Sequence, residues 1–377
     1  MDYTVTAKIQ IKVPDQEKAI LFDVMKAYTD ACNYVSGYIF KTHDLVQFSI
    51  NKVLYYELRD TFNLKAQMAQ SVIKTVLAKY RTLSETGSEW IMPVFRKQSY
   101  DLVWNRDYSL VSDMFSVNTL SGRLKFRYYD NSMQKYFDKD TYHFGTAKLV
   151  YKHKKFFLHI PVTCDIKECD ITQISNVVGV DLGVNFVATT YDSNHKTKFY
   201  NGRVIKQKHS HYKELRKQLQ QVKTPSSRRR LKAIGQRENR WMNDVNHCIS
   251  KALVESSPEH SLFVLEDLSG IRYVTEKVIR RNRYVMVSWS FYDLRKKIEY
   301  KSLKHNSMTV AVSSKYTSQC CPICGHTEKG NRNKVKHIFV CRNCNYSSND
   351  DRIGAMNLYR KGIEYLNTSV PDTVALE

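Results

Sequence analysis

Residues 321–358 read CPICGHTEKGNRNKVKHIFVCRNCNYSSNDDRIGAMNL, and two features in them organise the remainder of the 377-residue chain. The first is a pair of Cys-x-x-Cys motifs, Cys321/Cys324 and Cys341/Cys344, with sixteen residues between them. Four thiolates in two such pairs close a tetrahedral zinc site, because each pair turns the backbone so that both sulfurs face one ion. Disulfides are the alternative, but they belong to oxidising compartments. The opening stretch, MDYTVTAKIQIKV, alternates and carries charge, unlike a secretion signal. Cys320 breaks the two-residue spacing and is left out of the ligand set. His337 to Val340 predict a short strand entering the second pair, and Gly325 and Asn345 suit the tight turns after each pair. The second feature follows at once: Asn349 predicts an N-cap, with Asp350 and Asp351 in the first turn of a helix. Acids there complement the helix dipole in any case, so Asp351 acquires meaning only from acids elsewhere.

Two such acids exist. Val177-Val178-Gly179-Val180-Asp181-Leu182-Gly183-Val184-Asn185 is an apolar run with one carboxylate embedded in it, followed by the second strand of a hairpin, Phe186 to Thr190. A carboxylate inside a buried strand is costly unless it is paired or binds a cation. Leu262-Phe263-Val264-Leu265-Glu266-Asp267-Leu268 repeats the theme, and Asp351 stands further on. Acids at a strand centre (Asp181), a strand end (Glu266) and a helix start (Asp351) form the layout of a ribonuclease-H-like fold. There, two Mg²⁺ ions activate water and stabilise the leaving oxygen of a phosphodiester. The adjacent acids Asp267 and Asp350 are expected to be dispensable.

A formal charge of +22, from 59 Lys and Arg against 37 Asp and Glu, points to a polyanionic partner. A membrane surface is the weaker reading, since no basic segment presents a clean apolar face and no stretch is long enough to span. The densest charge lies between the first two acids. Residues 196–240 hold fifteen Lys or Arg against two Glu, more than half of the net charge. Leu215, Leu219, Leu231 and Ile234 predict a helical hairpin there, broken at Thr224-Pro225, with Arg228, Arg229, Arg230, Lys232, Arg237 and Arg240 on an outer face that contacts nucleic acid. His209-Ser210-His211-Tyr212 is not a metal motif on this reading, because its central residue is polar and no strand carries the pair.

Upstream, residues 4–12 alternate like a strand until Pro14, and Asp15 is placed to cap a helix with Leu21, Val24, Tyr28, Ala31 and Val35 on one side. Further helices are predicted around Asn51 to Phe62 and from Ala66 to Tyr80. From Glu89 the period becomes two, with strands at Tyr108 to Val111, Leu124 to Tyr129, Ala147 to Tyr151 and Lys155 to Ile160. The opening strand and this block are read as one barrel with the helices inserted.

Asp181 in GVDLGVN, Glu266 in LEDLSGI and Asp351 in DDRIGAMNL resemble the three RuvC motifs of the TnpB/OrfB proteins of bacterial insertion sequences. Tyr316-Thr317-Ser318-Gln319, the four cysteines, Trp241 to His247 and Pro93 to Leu102 are similar to that family's other signatures. The resemblance implies an RNA-guided DNA endonuclease, a relative of type V CRISPR effectors, acting in the bacterial cytoplasm. Its partners would be a guide RNA and double-stranded DNA bearing a target-adjacent motif; its ions would be two Mg²⁺ and one structural Zn²⁺. The implied fold is multi-domain α+β. A β-barrel wedge domain takes residues 1–14 and 89–172, a helical recognition domain 15–88, and a RuvC nuclease domain 173–316 and 346–365. A zinc-ribbon insert takes 317–345 and a flexible tail 366–377. A miniature CRISPR-type effector and a non-cutting RNA-guided regulator are the alternatives. A strand-transferase would need a nucleophile or target-capture module that the sequence does not offer.

Overall fold

The computed structural model describes residues 2–129, 133–166, 169–267, 291–333 and 336–369. They divide into two compact units, residues 2–165 and 166 onward.

In the first unit, β1 (Asp2–Gln10) leads into three helices, α1 (Asp15–Thr42), α2 (Gln47–Phe62) and α3 (Ala66–Glu85). Leu21, Val24, Tyr28, Ala31 and Val35 of α1 are buried at three- and four-residue spacing, as the periodicity requires. Pro14 occupies the N-cap, so Asp15 is the first helical residue and pairs with Lys18 instead of capping. His43 and Asn63 end the first two helices in the left-handed conformation. Strands β2 (Ser99–Leu102), β3 (Tyr108–Val111), β4 (Met114–Thr119), β5 (Gly122–Arg127), β6 (His143–Phe144), β7 (Ala147–Lys152) and β8 (Lys155–Asp165) follow. They form two antiparallel sheets, one ordered β1-β8-β7-β2 with β6 on β8, the other β3-β4-β5. An Ile11–Tyr128 bridge joins the exit of β1 to the exit of β5. One hydrophobic cluster, from Ala7 and Ile9 to Val162, serves sheets and helices together.

The second unit is built on β9 (Asn176–Asp181), β10 (Phe186–Asp192), β11 (Thr197–Asn201), β12 (Ser261–Glu266) and β13 (Met308–Val312), in the order β11-β10-β9-β12-β13. The first three meander antiparallel, while β9, β12 and β13 run parallel. In β9 and β12 the five residues before the acid are all buried, as befits strands covered on both faces. Alternation divides them. Val178, Val180, Phe263 and Leu265 pack on α5 (Pro225–Glu255) and α6 (Phe291–Lys304). Val177, Leu262 and Val264 pack against Leu358 and Ile363 of α7 (Asp350–Ser369). Each such burial contributes about 1.5–3 kcal/mol. Helix α4 (Arg203–Val222) turns into α5 at Thr224, whose hydroxyl accepts the Ser227 N–H as a true N-cap. Between β13 and α7 lies a small sheet, β14 (Arg332–Asn333), β15 (Ile338–Val340) and β16 (Ser347–Asn349).

Helix α7 continues to Ser369, four residues into the stretch expected to be a loose tail; residues 370–377 lie outside those described. Leu268 to Ile271 of the Glu266 motif also lie outside them. Among the described residues no helix is long and apolar enough to cross a membrane.

Candidate active site

Asp181 and Glu266 are the last residues of β9 and β12. The parallel register pairs Val180 with Leu265, an offset of 85 that is also the separation of the two acids, so both carboxylates leave adjacent strand ends on one face. The sequence reading put Asp181 at the centre of a strand. Instead the strand stops on it, because Leu182 and Gly183 turn the chain toward β10.

Helix α7 brings the third acid by riding directly on β9. A Cβ on Gly179 would lie 2.1 Å from the Ala355 carbonyl oxygen and 2.4 Å from the Tyr359 nitrogen, so only glycine admits the helix there. At Gly354 a Cβ would fall 2.8 Å from the Asp181 carboxyl carbon. The Asn349 side chain caps the helix, accepting the N–H groups of Asp351 at 3.1 Å and Arg352 at 3.2 Å. Asp351 then sits beside Gly183 and is 8% exposed.

Burial pushes the Asp181 carboxyl well above the ordinary range, and the charges of Glu266 and Asp351 push it further. Burial raises Glu266 as well, against the opposing hydrogen bond from the Thr317 hydroxyl. It also raises Asp351, which Asp350 raises further. Asp351 Oδ2 is buried with no hydrogen-bond partner among the described residues. Three mutually repelling carboxylates, one with an orphaned buried oxygen, are hard oxygen donors that fit divalent cations such as Mg²⁺.

Asp350, expected to be dispensable, is 1% exposed and accepts a hydrogen bond from Arg332 Nε at 2.8 Å. The same guanidinium reaches to 3.9 Å from Asp351 Oδ1. His337 lies 3.6 Å from Asp350 Oδ1, and its ring meets the Asn185 amide. Sequence reasoning missed Arg332 and His337. Both lie in a polar stretch, Lys329 to His337, where nothing in the pattern separates them from neighbouring lysines; the β14–β15 pairing selects them. Asp267 is exposed and pairs with Arg295 at 3.1 Å.

The cysteine pairs form two matching turns. The Gly325 N–H donates to the Cys321 carbonyl and the Asn345 N–H to the Cys341 carbonyl, both at 2.9 Å. Gly325 and Asn345 both have positive φ, 75° and 56°. Sulfurs of Cys321 and Cys344 lie 3.6 Å apart and those of Cys324 and Cys341 3.5 Å, with all four within 4.8 Å of one another. These are non-bonded distances near the edge, roughly 3.8 Å, of a tetrahedron with Zn–S bonds of about 2.3 Å. The four thiols could therefore hold a zinc ion. Among the described residues they are the one group of ligand atoms so close together; the carboxylates stand more openly. Asn357 of α7 ties the two features together, donating to the carbonyls of Thr317 at 2.7 Å and Cys320 at 2.8 Å.

Arg228, Arg229, Arg230, Lys232, Arg237 and Arg240 are all exposed along α5. On the inner side of the hairpin, His209 Nδ1 meets buried Glu238 at 2.7 Å, and Arg216 also pairs with it. Burial opposes the charge on Glu238, but these two partners outweigh it and hold the carboxyl below its ordinary range. His209 is thus committed to packing the hairpin.

Two family profiles match the chain. One described as "Probable transposase" covers residues 159–270, and one described as "Cas12f1-like, TNB domain" covers residues 291–358. The TnpB-like protein MJ0751 of Methanocaldococcus jannaschii is 30% identical over 208 residues, 55% of this chain and 70% of that protein. The CRISPR-associated endodeoxyribonuclease Cas12f1 of Syntrophomonas palmitatica is 27% identical over 284 residues, 66% of this chain and 55% of that protein. InsQ of Escherichia coli K12, named a candidate RNA-guided DNA endonuclease, is 28% identical over 209 residues, 50% of this chain and 49% of its own length. The chain thus spans about half the length of Cas12f1 and of InsQ.

Proposed function

The chain belongs to the TnpB-like family, and from that premise we propose that it is an RNA-guided DNA endonuclease that hydrolyses both target strands at one RuvC-type site. The observation that carries this reading is the convergence of Asp181, Glu266 and Asp351, two from adjacent parallel strand ends and one from the helix laid across them. Its support is the ribonuclease-H-like placement of the acids at one end of a five-stranded sheet. Asp181, Glu266 and Asp351 would hold two Mg²⁺ ions, which activate a water and stabilise the leaving oxygen when bound. This chain's own contribution is to fix the carboxylates. Thr317 orients Glu266, Gly354 leaves room for Asp181, and the Asn349 cap sets the direction of Asp351.

The four cysteines hold one Zn²⁺ on this reading, and the ribbon they close helps bring the target strand to the acids. The exposed arginines of α5 follow the nucleic-acid backbone. The two sheets of the first unit form the wedge and α1 to α3 the recognition domain, together holding guide RNA and the target-adjacent duplex. The chain acts in the bacterial cytoplasm, at the nucleoid. The match to a Cas12f1-like domain favours one second reading, a miniature CRISPR-type effector, which differs only in where its guide is encoded. The intact set of acids speaks against a non-cutting regulator. Sequencing the RNA that co-purifies with the chain, then offering DNA matched to its variable end, tests the proposal. Mg²⁺-dependent cutting of both strands of matched DNA is expected; absence of a bound RNA, or cutting indifferent to the match, would overturn it.

A further inference from the structure

The first unit contains a cavity of about 430 Å³ lined by Lys12, Lys18, Lys154 and Lys155, with Tyr129 and Phe156 as its aromatic walls and no carboxylate in the lining. Like charges converge on one concave site only at an electrostatic cost, unless an anion is meant to enter it. Lys18 is neutralised by Asp15, but among the described residues no ion pair with an acid engages Lys12, Lys154 or Lys155. The backbone adds a second observation. Lys152 pairs with Lys155 across a two-residue turn in which His153 and Lys154 both take positive φ, 52° and 61°. Such hairpin turns favour Asn-Gly, and lysine is strained there, so the strained turn keeps a cation at the mouth of the cavity where glycine would be easier. Third, the Lys12 ammonium sits over the Tyr129 ring, 4.7 Å from its centroid, while the residue remains 49% exposed. An exposed flat ring beside unpaired ammonium groups is the pairing that holds a base and its phosphates.

We infer that this cavity binds a single nucleotide of a bound nucleic-acid strand, its base against Tyr129 and its phosphates against Lys12, Lys154 and Lys155. The choice of partner class rests on the nucleic-acid reading proposed above; the pocket itself is a separate claim. The strand can be RNA or DNA, and the same phosphate chemistry serves both.

The test uses the full chain, freed of co-purified RNA and kept without added Mg²⁺ so that no cutting intervenes. Binding of labelled single-stranded RNA, single-stranded DNA and duplex DNA is measured against salt. Lys12→Ala/Lys155→Ala should lower the log–log salt slope by about 1.4 for the single strand that uses the pocket, at about 0.7 per lost contact. The charge-matched control Lys296→Ala/Lys304→Ala, at exposed positions of α6, should not. Tyr129→Ala should weaken binding of that strand about tenfold, and Tyr129→Phe should restore it, since stacking needs only the ring. Photocrosslinking with 5-iodouridine-substituted strands should label the peptide holding Tyr129. The strand type that responds identifies the source of the nucleotide. Equal effects of pocket and control pairs on all three nucleic acids would overturn the pocket while leaving the endonuclease reading intact. A wild-type chain that binds none of them would overturn both.

Discussion

The cysteine ribbon and the carboxylate cluster are two candidate metal sites of opposite construction. The four thiols come from 24 consecutive residues, and two matching turns aim them at one point with little help from the rest of the fold. The three carboxylates come from two strands and a helix, and the apolar faces of the sheet hold them together against their own repulsion. A cation held by the ribbon would therefore be part of folding, whereas a cation held by the acids would relieve a strain that the sheet already sustains. The joint between them is Asp350, gripped by Arg332 from the ribbon side of the acid helix.

The largest effect expected is at the acids. Asp181→Ala, Glu266→Ala or Asp351→Ala should each cut target cleavage by about a thousandfold or more, on both strands, with RNA-guided DNA binding retained. One strand still cut in Asp181→Ala would reveal a second nuclease site. Next comes the ribbon. Cys341→Ser should remove bound zinc, close to one equivalent in the wild type by metal analysis, and speed amide exchange over residues 336–349 while the five-stranded sheet keeps its protection. Loss of the whole sheet's protection would break the contrast between the two sites. Asp350→Ala should keep the zinc but slow cleavage by about ten- to a hundredfold through the lost Arg332 contact, whereas Asp267→Ala should change it little.

A smaller effect sharpens how the acids are assembled. Gly354→Ala sets a methyl group against the Asp181 carboxyl and should cost about 1–3 kcal/mol. Gly235→Ala on α5, where a Cβ meets nothing within 4 Å, should instead stabilise by about 0.4–1 kcal/mol. Denaturant titration of both variants decides it. The electrostatic strain has a pH signature as well. The folded-state values of Asp181, Glu266 and Asp351 are raised above those of the unfolded chain, so their contribution to stability is complete below the ordinary carboxylate range. It is lost as pH rises through the folded values. With no Mg²⁺ added and at neutral pH, Asp181→Asn should therefore melt higher than wild type. The gap should close on acidification and also on adding Mg²⁺. A wild type that melts higher at every pH would show that the acids are not strained.

The subtlest prediction concerns α5. Replacing Arg228, Arg229 and Arg230 with Ala should flatten the salt dependence of duplex binding by up to about 0.9 per lost contact, and an unchanged slope would leave them a solvated face.

Several of these features were legible in the chain itself because their signals are local. The Cys-x-x-Cys spacing, the αL turns at Gly325 and Asn345, the Asn349 cap and the apolar runs that carry Asp181 and Glu266 each depend on a few neighbouring residues. The apolar run continues past Asp181 through Leu182, so periodicity put the acid inside a strand that in fact ends on it. Only the tertiary structure decided which polar residues face the acids. Arg332, His337 and Asp350 meet because β14 pairs with β15 and because Gly179 and Gly354 let α7 sink onto β9. The four lysines at the cavity of the first unit likewise come from two segments far apart in sequence, 12–18 and 154–155, until β1 pairs with β8. Short-range order is set by backbone geometry and spacing, which a sequence displays. Burial, and the charges that burial brings together, depend on contacts between distant segments that no local pattern carries.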